Sequence, residues 1–308
     1  MRGLELSERY YEAIGVPMIR EKFASHADRI AAGLVGDGSE CFGFDDEISR
    51  DHDWGPGFCL WLTQEDYHVI GHALNVELSK LPQEFNGYAP RMTSNWGENR
   101  IGAFEISQFY AKFIGATCLP GNLMDWLYIP ENSLAACTNG KVFFDPCGEF
   151  TRWREALLRF YPEDVRLKKM ASRCMTIAQS GQYNFKRSVR RGEFVAARYA
   201  ETKFCADVIS LIFLLNKTYT PFYKWMHRAL LPLPILGGMI YEKINTLVLS
   251  TDNDEKINII EEICAAIIEV FKQQRLSDSS SDFLLDHGPQ IQAKIKDRAL
   301  RERNVWIG

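Results

Sequence analysis

The fold is decided by the stretch Gly38-Ser39-Glu40-Cys41-Phe42-Gly43-Phe44-Asp45-Asp46-Glu47-Ile48-Ser49-Arg50-Asp51-His52-Asp53-Trp54-Gly55-Pro56-Gly57. It begins with a Gly-Ser turn and contains the Asp-His-Asp triplet 51–53, and the apolar run 58–62 follows it. If residues 51–62 form a strand interrupted at 55–57, Asp51 and Asp53 point to the same face, because strand side chains alternate. Two carboxylates roughly 7 Å apart, which is two strand rises, repel each other unless a cation lies between them. Mg²⁺ is the hard ion that suits such a pair.

The Gly-Ser turn supplies the second half of a site. Gly38 and Ser39 offer backbone N–H groups and a hydroxyl, the donors of a nest-type anion site. The whole stretch therefore predicts a site for a phosphate and a divalent cation.

A Gly-Ser turn, a spacer of eleven residues (40–50) and an Asp-x-Asp strand together resemble the signature of the nucleotidyltransferase superfamily, which includes DNA polymerase beta. The fuller string resembles a domain-of-unknown-function branch of that superfamily, near the kanamycin and streptomycin (aminoglycoside) nucleotidyltransferases. The resemblance implies an enzyme that uses one or two Mg²⁺ ions, held by Asp51 and Asp53, and a nucleoside triphosphate, with ATP as the first expectation. Gly38 and Ser39 would bind its terminal phosphates, and a nucleoside monophosphate would pass to a hydroxyl of a small molecule or other acceptor.

Two other interpretations of the stretch stay open. Residues 45–53 are also compatible with an acidic surface loop, since charge runs are usually solvated faces. His52-Asp53 could instead belong to an HD-type metal phosphohydrolase. That chemistry needs further histidines, and His68 and His72 have helical spacing but no carboxylate in the local repeat.

Composition limits the class of protein. Hydrophobic residues make up 46% of the 308 residues and charged residues 25%, as in ordinary globular proteins. The formal net charge of −4 argues against binding of extended nucleic acid. The apolar runs 208–215 and 230–240 are shorter than a membrane span of about 20 residues. Eight cysteines without metal-site spacing, and no signal-peptide pattern at residues 1–5, predict free thiols in the cytoplasm.

Hydrophobic periodicity indicates two domains, residues 1–160 and 161–308. The first alternates helices with short apolar strands, whereas residues 164–303 have almost only helical spacing. The resemblance implies an α+β fold, with a small mixed-sheet nucleotidyltransferase domain followed by a C-terminal helical bundle. Within the first domain, Thr63 is predicted to cap a helix over 64–80. Residues 125–131 are predicted to lead into a helix that runs through residue 136, and Asn139-Gly140 to precede a strand at 141–145.

Further site residues are candidates only. The resemblance implies a third acid on a neighbouring strand, for which Asp145 is the candidate, although Asp before Pro146 is also typical of a turn. Arg187, Arg190 and Arg191 indicate a solvated helix face or, alternatively, guanidinium groups that bind the triphosphate.

The helical part also offers a candidate proton acceptor. By analogy with a bundle glutamate of the kanamycin-type enzymes, Glu193 or Glu201 would accept the proton of the acceptor hydroxyl. The alternative from another class is a non-catalytic, antitoxin-like binding or regulatory protein with the same fold.

Overall fold

The computed structural model describes residues 1–91 and 100–308. Contacts divide the chain into two compact units. The sheet unit comprises Met1–Leu119 and Ser133–Arg159, and the helical unit comprises Pro120–Asn132 and Phe160–Gly308. Residues 120–132 thus group with the helical unit, although residues 133–159 that follow them group with the sheet unit.

The described strands form a four-stranded mixed sheet in the order β3-β2-β1-β4. The strands are β1 (Ala31–Leu34), β2 (Cys59–Leu62), β3 (Gly102–Glu105) and β4 (Lys141–Phe144). β1 is antiparallel to both β2 and β4, whereas β2 and β3 are parallel. A small mixed sheet combined with many helices confirms the predicted α+β class.

Helices make up most of the described chain. In chain order they are α1 (Gly3–Tyr10), α2 (Val16–Lys22), α3 (Gln64–Leu78), α4 (Ile106–Ile114), α5 (Leu123–Tyr128), α6 (Glu131–Thr138), α7 (Glu149–Leu158), α8 (Glu163–Ile177), α9 (Lys186–Arg190), α10 (Phe194–Leu215), α11 (Tyr223–Met226), α12 (Gly237–Leu249), α13 (Asn253–Gln273), α14 (His287–Ala293) and α15 (Arg298–Arg301). Two π-helical segments, Tyr11–Gly15 and Ala178–Phe185, join α1 to α2 and α8 to α9. Within the described ranges, every helix is too short or too polar to cross a membrane.

The core of the sheet unit lies on both faces of β2, whose four residues are all buried. Leu60 and Leu62 belong to an apolar cluster that includes Phe58. Trp61 points to the other face, where its ring stacks on Phe150 with centroids 3.7 Å apart. Burial of such side chains contributes about 1.5–3 kcal/mol each, so β2 is fixed from both sides and the loop before it has a rigid anchor.

Local signals explain several element boundaries. Thr63 caps α3 as predicted, because its Oγ1 accepts the Asp66 N–H at 3.2 Å. The strand after Asn139-Gly140 is confirmed as β4. The segment 125–131 leads into a helix that runs through residue 136, as predicted, since α6 begins at Glu131 and ends at Thr138. The short helix α5 precedes it and ends before Ile129, since the residue before a proline is disfavoured in helical conformation.

Candidate functional site

The Gly-Ser turn and the Asp-His-Asp loop lie at the same end of the two central strands, β1 and β2. In the antiparallel register of β1 and β2, Ala31 lies opposite Trp61 and Gly33 opposite Cys59. The end of β1 therefore lies beside the start of β2. Gly38-Ser39 follows β1 and residues 51–53 precede β2, so strand topology brings the two sequence motifs to one place.

Arg91 joins these two motifs directly. Its Nη1 donates to Glu40 Oε1 at 2.9 Å and to the carbonyl oxygen of Asp53 at 2.6 Å. Its Nη2 donates to the Gly55 carbonyl at 3.1 Å. Because Glu40 directly follows Ser39, one guanidinium holds the Gly-Ser turn beside the Asp loop.

Glu40 and Arg91 were missed by the sequence analysis. Their side chains are only 2% and 5% exposed, and removal of one partner from such a pair leaves a costly unmatched charge. Glu40 also explains the glycine before Ser39. Gly38 has φ +142°, and a Cβ there would lie 2.7 Å from Glu40 Oε2. The available signal was an acid placed immediately after Gly-Ser, but nothing in the sequence named its partner.

The strand predicted from Asp51 was wrong. Residues 48–50 form a 3₁₀ turn and β2 begins only at Cys59. Asp53 has φ +52°, a left-handed conformation that no strand adopts, and the Gly55-Pro56-Gly57 sequence disfavours strand pairing before β2. The alternation argument for a shared face therefore does not apply to Asp51 and Asp53.

The two aspartates differ in their surroundings. The Asp51 side chain is 64% exposed, and its Oδ1 lies 2.6 Å from His52 Nδ1. The Asp53 side chain is 5% exposed, and its Oδ2 lies 3.4 Å from Arg100 Nη1. One carboxylate is open to solvent and the other is held beside a cation.

The oxygen donors at this end of the strands are of the kind that Mg²⁺ prefers. Mg²⁺ needs only one or two protein carboxylates when substrate phosphates and water complete its shell. Asp51 supplies an exposed carboxylate and Asp53 a second one two residues away. Within residues 1–91 and 100–308 there is no group of three or more His, Cys, Asp or Glu side chains placed to hold a metal by themselves. Two carboxylates alone would leave most of the Mg²⁺ coordination shell to water or other ligands.

Asp145 lies at the opposite end of the strands, beside the start of β1. It directly follows β4, whose first residue Lys141 pairs with Leu34 at the end of β1 and whose last residue Phe144 pairs with Ala32. Its carboxylate accepts the Thr151 N–H at 2.7 Å. This hydrogen bond, to the start of α7, is the kind of contact that the turn interpretation predicts, and the register does not bring Asp145 beside Asp53.

The histidines of the rival phosphohydrolase interpretation lie on the surface of α3. His68 and His72 are both exposed, and His68 Nδ1 lies 2.7 Å from the Gln64 carbonyl oxygen of its own helix. Of the two interpretations that helical spacing allows for these histidines, helix-surface or core residues, the exposure of both supports the first.

The candidates of the helical unit fall into two groups. Arg187, Arg190, Arg191 and Glu193 are exposed at α9 and the start of α10, and the Arg187 guanidinium lies 4.7 Å from the centre of the Tyr183 ring. Glu201, in contrast, is buried in α10.

Glu201 has both carboxylate oxygens engaged. Lys256 Nζ donates to each of them at 2.8 Å, and Arg198 Nη1 donates to Oε2 at 3.0 Å. A glutamate held in this way has a clear structural role.

Comparison with known proteins adds two distant similarities. Residues 126–226 match the family described as "Domain of unknown function (DUF4037)". The chain is also similar to the crystal structure of a nucleotidyltransferase-like protein from Exiguobacterium sibiricum 255-15. The identity is 11%, the alignment covers 91% of this chain and 89% of that chain, and the TM-score is 0.38. No curated protein matches the chain.

Proposed function

We propose that the sheet unit transfers a nucleoside monophosphate from a nucleoside triphosphate to a hydroxyl group of a small acceptor. The observation that carries this proposal is the bridge made by Arg91, which contacts both Glu40 and the Asp53 backbone. This bridge supports the proposal because it holds the Gly-Ser turn beside the loop that carries Asp51 and Asp53.

The proposed chemistry is an in-line displacement. The acceptor hydroxyl releases its proton to solvent as its oxygen attacks the α-phosphorus. The bond from that phosphorus to the oxygen that bridges it to the β-phosphate breaks, and pyrophosphate leaves with the bonding electron pair. Ser39 and the neighbouring backbone N–H groups bind the terminal phosphates, as nests of N–H groups do. Asp51 and Asp53 would hold Mg²⁺, which when bound neutralises phosphate charge and lowers the pKa of the attacking hydroxyl. The protein contributes mainly positioning and charge neutralisation.

The first prediction concerns the two aspartates. Asp51→Asn and Asp53→Asn are each expected to lower the rate of nucleotidyl transfer by about 100-fold or more, the usual cost of losing one electrostatic contact in a transition state. The measurement is Mg²⁺-dependent pyrophosphate release from ATP, GTP, CTP and UTP with a panel of sugar, aminoglycoside and peptide hydroxyl acceptors.

The matched control is Glu47→Gln, which removes an exposed acid from the same loop. It is expected to keep the wild-type rate. Wild-type rates in both aspartate variants, with unchanged melting temperatures, would refute the assignment.

A second candidate function is supported by the charges around Asp53. Arg100 lies 3.4 Å from its carboxylate and Arg91 is paired with Glu40, so cations of the chain already balance two of the local acids. This arrangement suits a protein that binds a nucleotide without turnover, as a regulatory partner would. Saturable binding of Mg²⁺–ATP without pyrophosphate release for any acceptor would favour this function over transfer.

A further inference from the structure

Lys169, on α8, is a buried cation with few polar contacts. Its side chain is 5% exposed, and its Nζ lies 3.9 Å from Glu131 Oε1 and 5.2 Å from the centre of the Tyr161 ring. In the part of the chain that the structure describes, no acceptor lies within hydrogen-bond distance of this Nζ. An ammonium group has three N–H donors, and a buried charge without hydrogen bonds is costly. Burial accordingly lowers the pKa of Lys169, although the nearby Glu131 charge opposes that effect.

The Glu131 carboxylate is already engaged by other donors. Arg173 Nη2 donates to Oε1 at 3.1 Å, and the hydroxyls of Ser210 and Thr220 each donate to Oε2 at 2.8 Å. Burial raises the pKa of Glu131, but the charges of Arg173 and Lys169 and the two hydroxyls outweigh it, so the pKa lies below its usual range. Glu131 therefore stays ionised and is held in place without giving Lys169 a hydrogen bond.

Lys168, which precedes Lys169 on α8, is also buried but has a hydrogen-bond partner for each of its donors. Lys168 Nζ donates to Gln292 Oε1 at 2.6 Å and to the carbonyl oxygens of Arg303 and Asn304 at 3.1 and 2.8 Å. All three of its donors have partners. The adjacent Lys169 lacks all three, although both side chains are buried on the same helix.

Lys169 lines a cavity of about 630 Å³ that lies wholly within the helical unit. Glu131 and Arg173 line it as well, and the exposed rings of Tyr128, Phe222 and Tyr223 complete its wall. Its volume falls within the range of about 300–1,000 Å³ that is typical of small-molecule sites. A buried cation and several aromatic rings thus face the same space.

We propose that this cavity binds a small molecule with an anionic oxygen group, which accepts hydrogen bonds from Lys169, and an aromatic or apolar body, which packs on Phe222 and Tyr223. The ligand oxygen supplies the acceptors that Lys169 lacks. The proposal does not depend on nucleotidyl transfer by the sheet unit.

The test uses phenyl phosphate and benzoate as probes of the phosphate and carboxylate classes, with benzyl alcohol as the uncharged comparison. Binding to the full chain is measured by titration calorimetry for the wild type, Lys169→Met and Lys224→Met. Lys224 is exposed and follows Tyr223, so its variant removes a nearby charge without altering the cavity wall. The expected result is that at least one anionic probe binds the wild type and Lys224→Met equally. The Lys169→Met variant is expected to bind it at least about tenfold more weakly, as for loss of a hydrogen bond to a charged group.

Three outcomes would overturn the proposal: neither anion binds the wild type, benzyl alcohol binds as tightly as the anions, or Lys169→Met keeps wild-type affinity. Because removal of a buried lysine can also impair folding, a second measurement uses the wild type alone. In a crystal soaked with the bound probe, a probe oxygen within hydrogen-bond distance of Lys169 Nζ supports the proposal. A probe bound elsewhere on the chain contradicts it.

Discussion

Glu201 and Lys256 form an ion pair whose side chains are only 6% and 1% exposed. A carboxylate that is open to solvent can exchange protons with a substrate, whereas this one is enclosed and bonded at both oxygens. At the scale of single residues, the environment of an acid decides its role more than its position in a motif. The same holds for Glu40, which directly follows the predicted phosphate turn but is paired with Arg91.

Replacement of Lys256 tests whether its ion pair with Glu201 stabilises the fold. Lys256→Met is expected to lower the free energy of unfolding by about 3–5 kcal/mol, because it leaves the buried Glu201 charge without its main partner. The double variant Glu201→Gln/Lys256→Met is expected to lose less than the single variant. Urea unfolding of the wild type and these variants provides the measurement.

Lys203→Met serves as the control, since it breaks an ion pair of an exposed lysine with Asp207 worth at most about 1 kcal/mol. A Lys256→Met variant as stable as this control would contradict the structural role. Pyrophosphate release by a folded Glu201→Gln variant then separates that role from the predicted proton acceptor.

Among the elements of the helical unit, the segment Pro120–Asn132 is connected to two helices through Glu131. The partners of Glu131 in this connection, Arg173 and Ser210, lie on α8 and α10. Thr220 adds a contact from the segment before α11. The pKa of Glu131 lies below the ordinary glutamate value of 4.5, so this cluster makes stability depend on pH.

The sign of the dependence follows from proton linkage. The pKa of Glu131 is lower in the folded state than in the unfolded state, where it is about 4.5. The cluster therefore stabilises the folded state fully above the unfolded pKa, and this stabilisation is lost as pH falls through the folded pKa. Urea unfolding between pH 7 and pH 3 is expected to show a smaller acid loss of stability in Glu131→Gln than in the wild type. Glu193→Gln, a change at an exposed glutamate, should preserve the wild-type profile, and an unchanged profile in Glu131→Gln would be incompatible with the assigned cluster.

Elements with local signals could be predicted from the sequence. Thr63 marked the start of α3, Asn139-Gly140 marked the start of β4, and the helical spacing after residue 164 marked the helical unit. The residues of the site were harder to predict, because their roles depend on contacts with residues that are far away in the sequence. The pairing of Glu40 with Arg91 spans 51 positions, and the left-handed turn at Asp53 breaks the alternation that the strand prediction assumed. The roles of Gly38, Ser39, Asp51 and Asp53 in nucleotide and Mg²⁺ binding remain predictions.

For the whole molecule, the cysteines give a simple test of the packing. Cys118 and Cys147 are exposed, whereas the other six are buried as free thiols: Cys41, Cys59, Cys137, Cys174, Cys205 and Cys264. Burial raises the pKa of each buried thiol, to about 12 for Cys59. Since the thiolate is the reactive form, buried cysteines should react very slowly.

Two thiols per chain are therefore expected to react rapidly with a maleimide in the native protein at neutral pH, and eight after denaturation in urea. Mass spectrometry of the labelled peptides should identify Cys118 and Cys147 as the rapid sites. Rapid labelling of any of the six others would show that the packing around it is wrong. A Cys118→Ser/Cys147→Ser variant is the control, with almost no rapid labelling.

Because Pro120–Asn132 belongs to the helical unit, the position of a cut determines which residues each fragment of the protein lacks. A break after residue 160, the boundary that the sequence predicts, leaves the downstream fragment without Glu131. That fragment would lack the carboxylate that accepts hydrogen bonds from Arg173, Ser210 and Thr220. A cut after Leu119 keeps that acid, but it carries residues 133–159 away from the sheet to which they belong. Each unit is therefore discontinuous along the chain, and no single cut yields both units complete.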